Sequence, residues 1–195
     1  MNGFVDLIAE LLREAGLEDA TIHRRRNSLC LPGFFRPTKN WDLIVIVDEK
    51  LLATVEFKSH VGSFGNNYNN RTEEALGNAT DLWHAFEKGA FQHSPKPWLG
   101  WLMLLEESAK SLSPVRASEP FFPVFPEFKA ASYATRYELL CRKLLRERLY
   151  DGACLLLTGR ETGLLGAYRE PAPDVSFRSF AASLTAHAGA YARLR

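Results

Sequence analysis

The sequence predicts an α/β fold, a mixed sheet flanked by helices, and three observations predict it. Short apolar runs bounded by polar turns recur at residues 41–47, 51–57, 98–105 and 153–158, too short for buried helices and suited to strands. Longer amphipathic stretches at 4–15, 71–90, 132–150 and 177–194 have the period of helices. The first two strands are close enough to form a hairpin, which supplies antiparallel pairing. The helix between the second and third supplies a parallel crossover. The 195 residues fit one domain, 1–195, with a core over about 1–105 and a C-terminal helical and strand elaboration over about 106–195.

Each element has its own reason. In the first helix Phe4, Ile8, Leu11, Leu12 and Ala15 share a face, and Gly16 is a natural stop. A short strand is expected at 20–24, followed by irregular chain around Pro32-Gly33 and Pro37. The polar triplet Asp48-Glu49-Lys50 is the hairpin turn. Residues 59–70, with two Gly and four Asn, read as a loop, and Asn70 caps the helix that follows, with Glu73 and Glu74 in its first turn. Four prolines mark 111–131 as an excursion, and 164–168 is a candidate partner strand for 153–158. Trp83, Phe86, Trp98 and Trp101 read as core aromatics.

Composition excludes several classes. The chain is 46% hydrophobic and 24% charged, so it is not a disordered polymer. Its longest apolar runs fall far short of the ~20 residues of a membrane span. The opening Met-Asn-Gly-Phe-Val-Asp has no basic signal-peptide region, so a cytoplasmic location is expected. Cys30, Cys141 and Cys154 are an odd, scattered set that suits buried thiols rather than a disulfide framework or a zinc site. A net charge of +1 gives no global nucleic-acid signature, which leaves local clusters to decide. One is Arg24-Arg25-Arg26 with Arg36 and Lys39. The other is Arg136, Arg142, Lys143, Arg146 and Arg148, read as a solvated face or a dimer surface.

Three ionisable residues interrupt the apolar hairpin near its open end: Asp42, Glu56 and Lys58. If Asp48-Glu49-Lys50 forms a three-residue loop, the numbers of paired residues total 98 and Asp42 lies opposite Glu56. Opposed Cβ atoms are ~4.5–5.5 Å apart on one face, and Lys58, two residues on, points the same way. Two such carboxylates repel unless one is protonated or both recruit a cation. Hard oxygen ligands suit Mg²⁺, which polarises a phosphoryl oxygen and acidifies water, with Lys58 placed to position that water or neutralise charge. The parts suit phosphodiester hydrolysis. The tripeptide alone is weak, since Glu127-Phe128-Lys129 repeats it inside the excursion. On spacing alone, a surface ion cluster at a sheet end accounts for the same three residues.

Two longer stretches add a resemblance. Leu31-Pro-Gly-Phe-Phe-Arg-Pro-Thr-Lys-Asn-Trp-Asp42-Leu-Ile-Val resembles the first catalytic segment of the XhoI family of type II restriction endonucleases. Val55-Glu56-Phe-Lys58-Ser-His-Val-Gly-Ser-Phe-Gly-Asn-Asn-Tyr-Asn-Asn-Arg71-Thr-Glu-Glu-Ala-Leu-Gly-Asn-Ala79 resembles its second, and the resemblance covers most of the chain, strongest in 31–80. The resemblance implies the PD-(D/E)XK (restriction endonuclease-like) nuclease fold, with the nuclease core in 1–105. It also implies Mg²⁺-dependent cleavage of double-stranded DNA at CTCGAG by a homodimer, in a restriction-modification system with a cognate DNA methyltransferase. Asp42 and Glu56 would hold the metal, and Lys58 would complete the catalytic set. Trp41 stands where many members of the superfamily have proline. Members carry a further segment before the Met-x-Gly-Phe that opens this chain. A cleavage-impaired DNA-binding or partner-binding protein of the same fold is therefore the alternative expectation, and a repair nuclease without site specificity a third.

Several residues are then candidates for DNA contact. Asn66, Asn67, Asn69, Asn70 and Arg71 follow the catalytic strand, and Asn and Arg pair bidentately with adenine and guanine; ordinary turn chemistry explains the same amides. Arg36 and Lys39, just before Asp42, are candidates for the phosphate backbone. His60 reads as a loop histidine, and Glu10 or Glu14 of the first helix as possible additions to a metal site.

Overall fold

The computed structural model describes residues 2–23 and 29–195. The Arg24-Arg25-Arg26 cluster lies outside the described residues. Helix α1 (Asn2–Glu14) buries Val5, Ile8, Ala9 and Leu12 along one stripe. It stops where Gly16 takes φ 91°, a conformation that favours glycine.

The main sheet contains β1 (Thr21–His23), β4 (Leu43–Val47), β5 (Lys50–His60), β6 (Trp98–Glu106) and β7 (Gly152–Thr158), in the order β1-β4-β5-β6-β7. The first two junctions are antiparallel and the last two parallel. The parallel steps are bridged by α2 (Phe64–Glu87) and, after the one-turn helix α3 (Ala109–Leu112), by α4 (Tyr133–Arg146). Helix α6 (Phe177–Leu194) closes the chain.

The sheet has a packed layer on each side. Val5, Ile8 and Leu12 of α1 and Phe180 and Leu184 of α6 meet Val55, Phe57, Trp98 and Leu102 on one face. Ala75, Ala79 and Leu82 of α2 and Tyr137, Leu140 and Cys141 of α4 meet Trp101, Met103 and Leu155 on the other. Alternation along β5 therefore puts Glu56, Lys58 and His60 on the α2/α4 face.

The expected hairpin turn is wrong and the expected register is right. The loop has two residues, Asp48 and Glu49, both with positive φ (49° and 61°), which matches the twist of the strands it joins. Pairs nearest the turn, Val47 with Lys50 and Ile46 with Leu51, total 97. A bulge between Val45 and Ile46 then restores 98, so that Val45 faces Ala53 and Leu43 faces Val55. The two departures cancel before the open end is reached.

Other expectations need correction. Helix α2 begins at Phe64, so Asn66, Asn67, Asn69 and Asn70 are helical and Asn70 is not its cap; the cap position is Ser63, with φ 44°. Phe64 stacks on Tyr133 of α4 and Tyr68 meets Tyr137 edge-on, and this tertiary packing carries the amide-rich stretch into the helix. No strand forms at 164–168. A short helix, α5 (Arg160–Leu164), ends there with Leu164 and Leu165 exposed, and β7 gains only a bridge from Leu157 to Arg169.

The irregular stretch before Asp42 contains a small hairpin. Strands β2 (Cys30–Pro32) and β3 (Thr38–Asn40) pair antiparallel around a tip at residues 33–37. Cys30 is exposed there, contrary to expectation, whereas Cys141 and Cys154 are buried. In the excursion, Phe121, Phe122 and Phe125 are exposed. Among the described residues no helix is long and apolar enough to cross a membrane.

Candidate active site

The sheet's central strand builds the site. Glu56 sits on β5 beside Trp101 of β6 and is 3% exposed. Asp42 lies one residue before β4, next to the Leu43–Val55 pair. Its Oδ2 accepts the backbone N–H of Phe57 at 2.8 Å, which anchors it to the strand that carries Glu56.

Lysines flank Glu56 on both sides. Lys58 Nζ is 2.5 Å from Oε1, and Lys39 Nζ donates to Oε2 at 2.9 Å. Lys58 also faces Glu74 of α2 at 3.6 Å, and Glu74 in turn holds Arg71 at 2.7 Å. The result is an alternating chain of charge, Lys39–Glu56–Lys58–Glu74–Arg71.

The charges respond to one another. Burial raises the Asp42 pKa above the usual carboxylate value, and the negative charge of Glu56 adds to the rise; the Phe57 N–H and the two lysines oppose it. Burial pulls the Lys58 pKa down, but the charge and hydrogen bond of Glu56 outweigh it, with help from Glu74 and Asp42, and the net shift is upward. For Glu74, burial acts upward and is overcome by Arg71 and Lys58, so that its pKa is lowered.

These residues fit a hard divalent cation. The carboxylates of Asp42, just before β4, and Glu56, on β5, lie close enough that the Glu56 charge adds to burial in raising the Asp42 pKa. A divalent ion would relieve that repulsion, and oxygen donors are what Mg²⁺ prefers. Among the described residues no group of three or more His, Cys, Asp or Glu is placed to hold a metal ion, so the candidate seat is the Asp42–Glu56 pair alone.

The proposed DNA contacts are only partly brought to this place. Lys39 reaches it directly. Arg71 reaches it through Glu74, with its Nε buried and without a hydrogen-bond partner. Arg36 is committed elsewhere: its Nε donates to Asp81 at 2.7 Å and its Nη2 to Asn78 at 3.0 Å. Asn69 and Asn70 are exposed and Asn67 is half-buried on the first turns of α2, the helix that carries Glu74. Asn66 lies in the same turns.

His60 is not in a loop. It ends β5, is buried, and its Nδ1 lies 2.6 Å from the Tyr137 hydroxyl. Glu10 and Glu14 are exposed on α1, across the sheet from Glu56. Glu74 was missed by the sequence reading, although its signal was there. Phe64, Tyr68, Ala75, Ala79 and Leu82 follow helical spacing, and a helix begun at Phe64 carries Glu74 alongside β5.

Comparison with known proteins decides the family. The profile of restriction endonuclease XhoI matches residues 1–170. The chain belongs to the XhoI family of restriction endonucleases. Across its whole length it is 50% identical to the type II restriction enzyme BstVI of Geobacillus stearothermophilus, over 200 residues that make up 89% of that protein. It is 54% identical over 147 residues to the type II restriction enzyme XhoI of Xanthomonas vasicola, which covers 74% of this chain and 59% of that one. The figures for the type II restriction enzyme AbrI of Azospirillum brasilense are 54% over 123 residues, 63% and 55%. The chain thus matches less than two thirds of the length of the latter two. No solved structure matches. The matched region, residues 1–170, includes Asp42, Glu56 and Lys58 and extends over all seven strands.

Proposed function

We propose that this protein is a type II site-specific deoxyribonuclease that hydrolyses phosphodiester bonds in double-stranded DNA with Mg²⁺, at CTCGAG. The observation that carries the reading is the meeting of Asp42, Glu56 and Lys58 at the open end of the β4–β5 hairpin. Family membership supports the substrate class. The sheet order, with a hairpin followed by two parallel strands, is compatible with a PD-(D/E)XK nuclease core in one domain.

Asp42 and Glu56 would hold the ion, which when bound supplies Lewis-acid polarisation and an acidified water. The protein does the rest. The Phe57 N–H fixes the direction of Asp42. Glu56 orients the Lys58 ammonium, which stands ready as a positive charge for the phosphoryl oxygens or as a holder of the attacking water. Asn67, Asn69, Asn70 and Arg71, with Asn66, form the amide-rich start of α2 from which base edges would be read. A palindromic target calls for a two-fold homodimer with one centre per strand, and a restriction system calls for a cognate methyltransferase.

Incubation of the purified protein with a plasmid carrying CTCGAG tests the reading. Discrete fragments in Mg²⁺, absent in EDTA, are expected. A smear would point to cleavage without site preference. Salt-sensitive DNA binding with no product in Mg²⁺ or Mn²⁺ would replace the reading with a binding protein.

A further inference from the structure

Lys39 is held by more than the site needs from a phosphate contact. Its ammonium lies 2.9 Å from Glu56 Oε2 and 2.9 Å from the carbonyl oxygen of Asn40. It also sits 4.3 Å from the centroid of the Trp41 ring. The Lys39 side chain is 9% exposed. An ammonium removed from water this far needs such partners, because all three of its protons must be satisfied. A carboxylate, a carbonyl and an aromatic face form a seat for a cation.

We propose that Lys39 is the built-in counter-ion of the metal seat: it occupies Glu56 in the metal-free protein and must withdraw before a divalent ion takes that carboxylate. The inference rests on the reading of Asp42 and Glu56 as metal ligands. Its basis is charge and occupancy. Lys58 holds Oε1 and Lys39 holds Oε2, so both oxygens of Glu56 already face a positive charge. A divalent ion at the same carboxylate would stand beside two ammonium groups in a desolvated place, where like charges are costly. The two lysines are not equivalent. Lys58 is also paired with Glu74, whereas Lys39 has Glu56 as its sole carboxylate partner among the described residues. The Lys39 backbone in β3 is paired with Leu31 of β2, and the hairpin tip is tied to α2 through Asp81. Withdrawal is therefore a rotation of a flexible stem and not a movement of the strand. A released ammonium would leave the site as a free donor in the region where DNA phosphates are proposed to pass.

Metal binding without DNA tests the proposal. Mn²⁺ titration of the full-length protein is followed by calorimetry for wild type, Lys39→Met, Lys39→Gln and Glu56→Gln. Lys39→Met keeps the stem over Trp41 and removes the charge. Both Lys39 variants should bind Mn²⁺ about tenfold more tightly than wild type. Their melting temperatures should be lower than wild type without metal and should recover with it. Equal or weaker Mn²⁺ binding by a folded Lys39 variant would overturn the proposal, and Lys39→Gln serves if Lys39→Met does not fold. Glu56→Gln separates the two layers. If it binds Mn²⁺ as wild type does, the metal seat itself is wrong and the inference falls with it. If it loses binding while the Lys39 variants show no gain, only the role of Lys39 is refuted.

Discussion

Asp42 is bonded to the strand it faces: its Oδ2 accepts the Phe57 N–H at 2.8 Å, between the two residues, Glu56 and Lys58, that complete the site. Asp42→Asn keeps an oxygen for that bond and loses the negative charge. On the proposed role of Asp42 in holding the ion, plasmid cleavage should fall by about 100-fold or more. The thermal melt should stay near wild type, which circular dichroism checks.

Lys58 and Glu74 should separate in their effects. Lys58→Met removes the charge next to Glu56 and should lower cleavage by at least about 100-fold. Glu74→Gln removes a partner at 3.6 Å that is 41% exposed, and should change the rate by less than about threefold. Steady-state cleavage of a short duplex by both variants measures the contrast.

Asp81 is the brace of the β2–β3 hairpin. Its Oδ1 accepts the N–H groups of Phe34 and Phe35, both at 2.8 Å, and Oδ2 accepts Arg36 Nε. Asp81→Ala strands these donors and should cost about 3 kcal/mol by urea denaturation. Burial acts to raise the Asp81 pKa, but the Phe35, Arg36 and Phe34 donors outweigh it and hold it below its ordinary 3.8. Its stabilising effect is therefore complete above pH 3.8. It is lost as pH falls from there through the lower folded value. The stability gap between wild type and Asp81→Asn should narrow over that acid range and remain constant above it.

Gly100 and Gly152 make room for Trp98, whose ring would clash with a Cβ at either position. Trp98 also packs edge-on against Phe180 and donates to Ser183 at 2.9 Å, so it has little freedom to move aside. Gly100→Ala should destabilise the fold by about 1–3 kcal/mol through overpacking. A chemical melt checks it, and cleavage at low temperature should be preserved.

The elements that were legible in the sequence are those whose pattern is local. Leu43–Val47 and Trp98–Glu106 announce themselves as strands because they are apolar and short. The start of α2 was hidden because Asn and Gly favour turns in isolation, while Phe64 and Tyr68 commit them to a helix through contacts with α4. Leu164 and Leu165 misled in the other direction: apolar letters suggested a strand, but both side chains are exposed. In the site, Asp42, Glu56 and Lys58 could be found by counting along two strands. Lys39 could not be tied to Glu56 that way. Its position depends on a hairpin whose prolines and glycine read as irregular chain, and on a tip fastened to Asp81 more than forty residues later.

The bulge between Val45 and Ile46 gives the hairpin a vernier. Because the offset introduced at the tip is cancelled inside the strand pair, the alignment of the distal segment is insulated from the geometry of the bend. A bend one residue longer, with no bulge behind it, would bring the acids to the same phase.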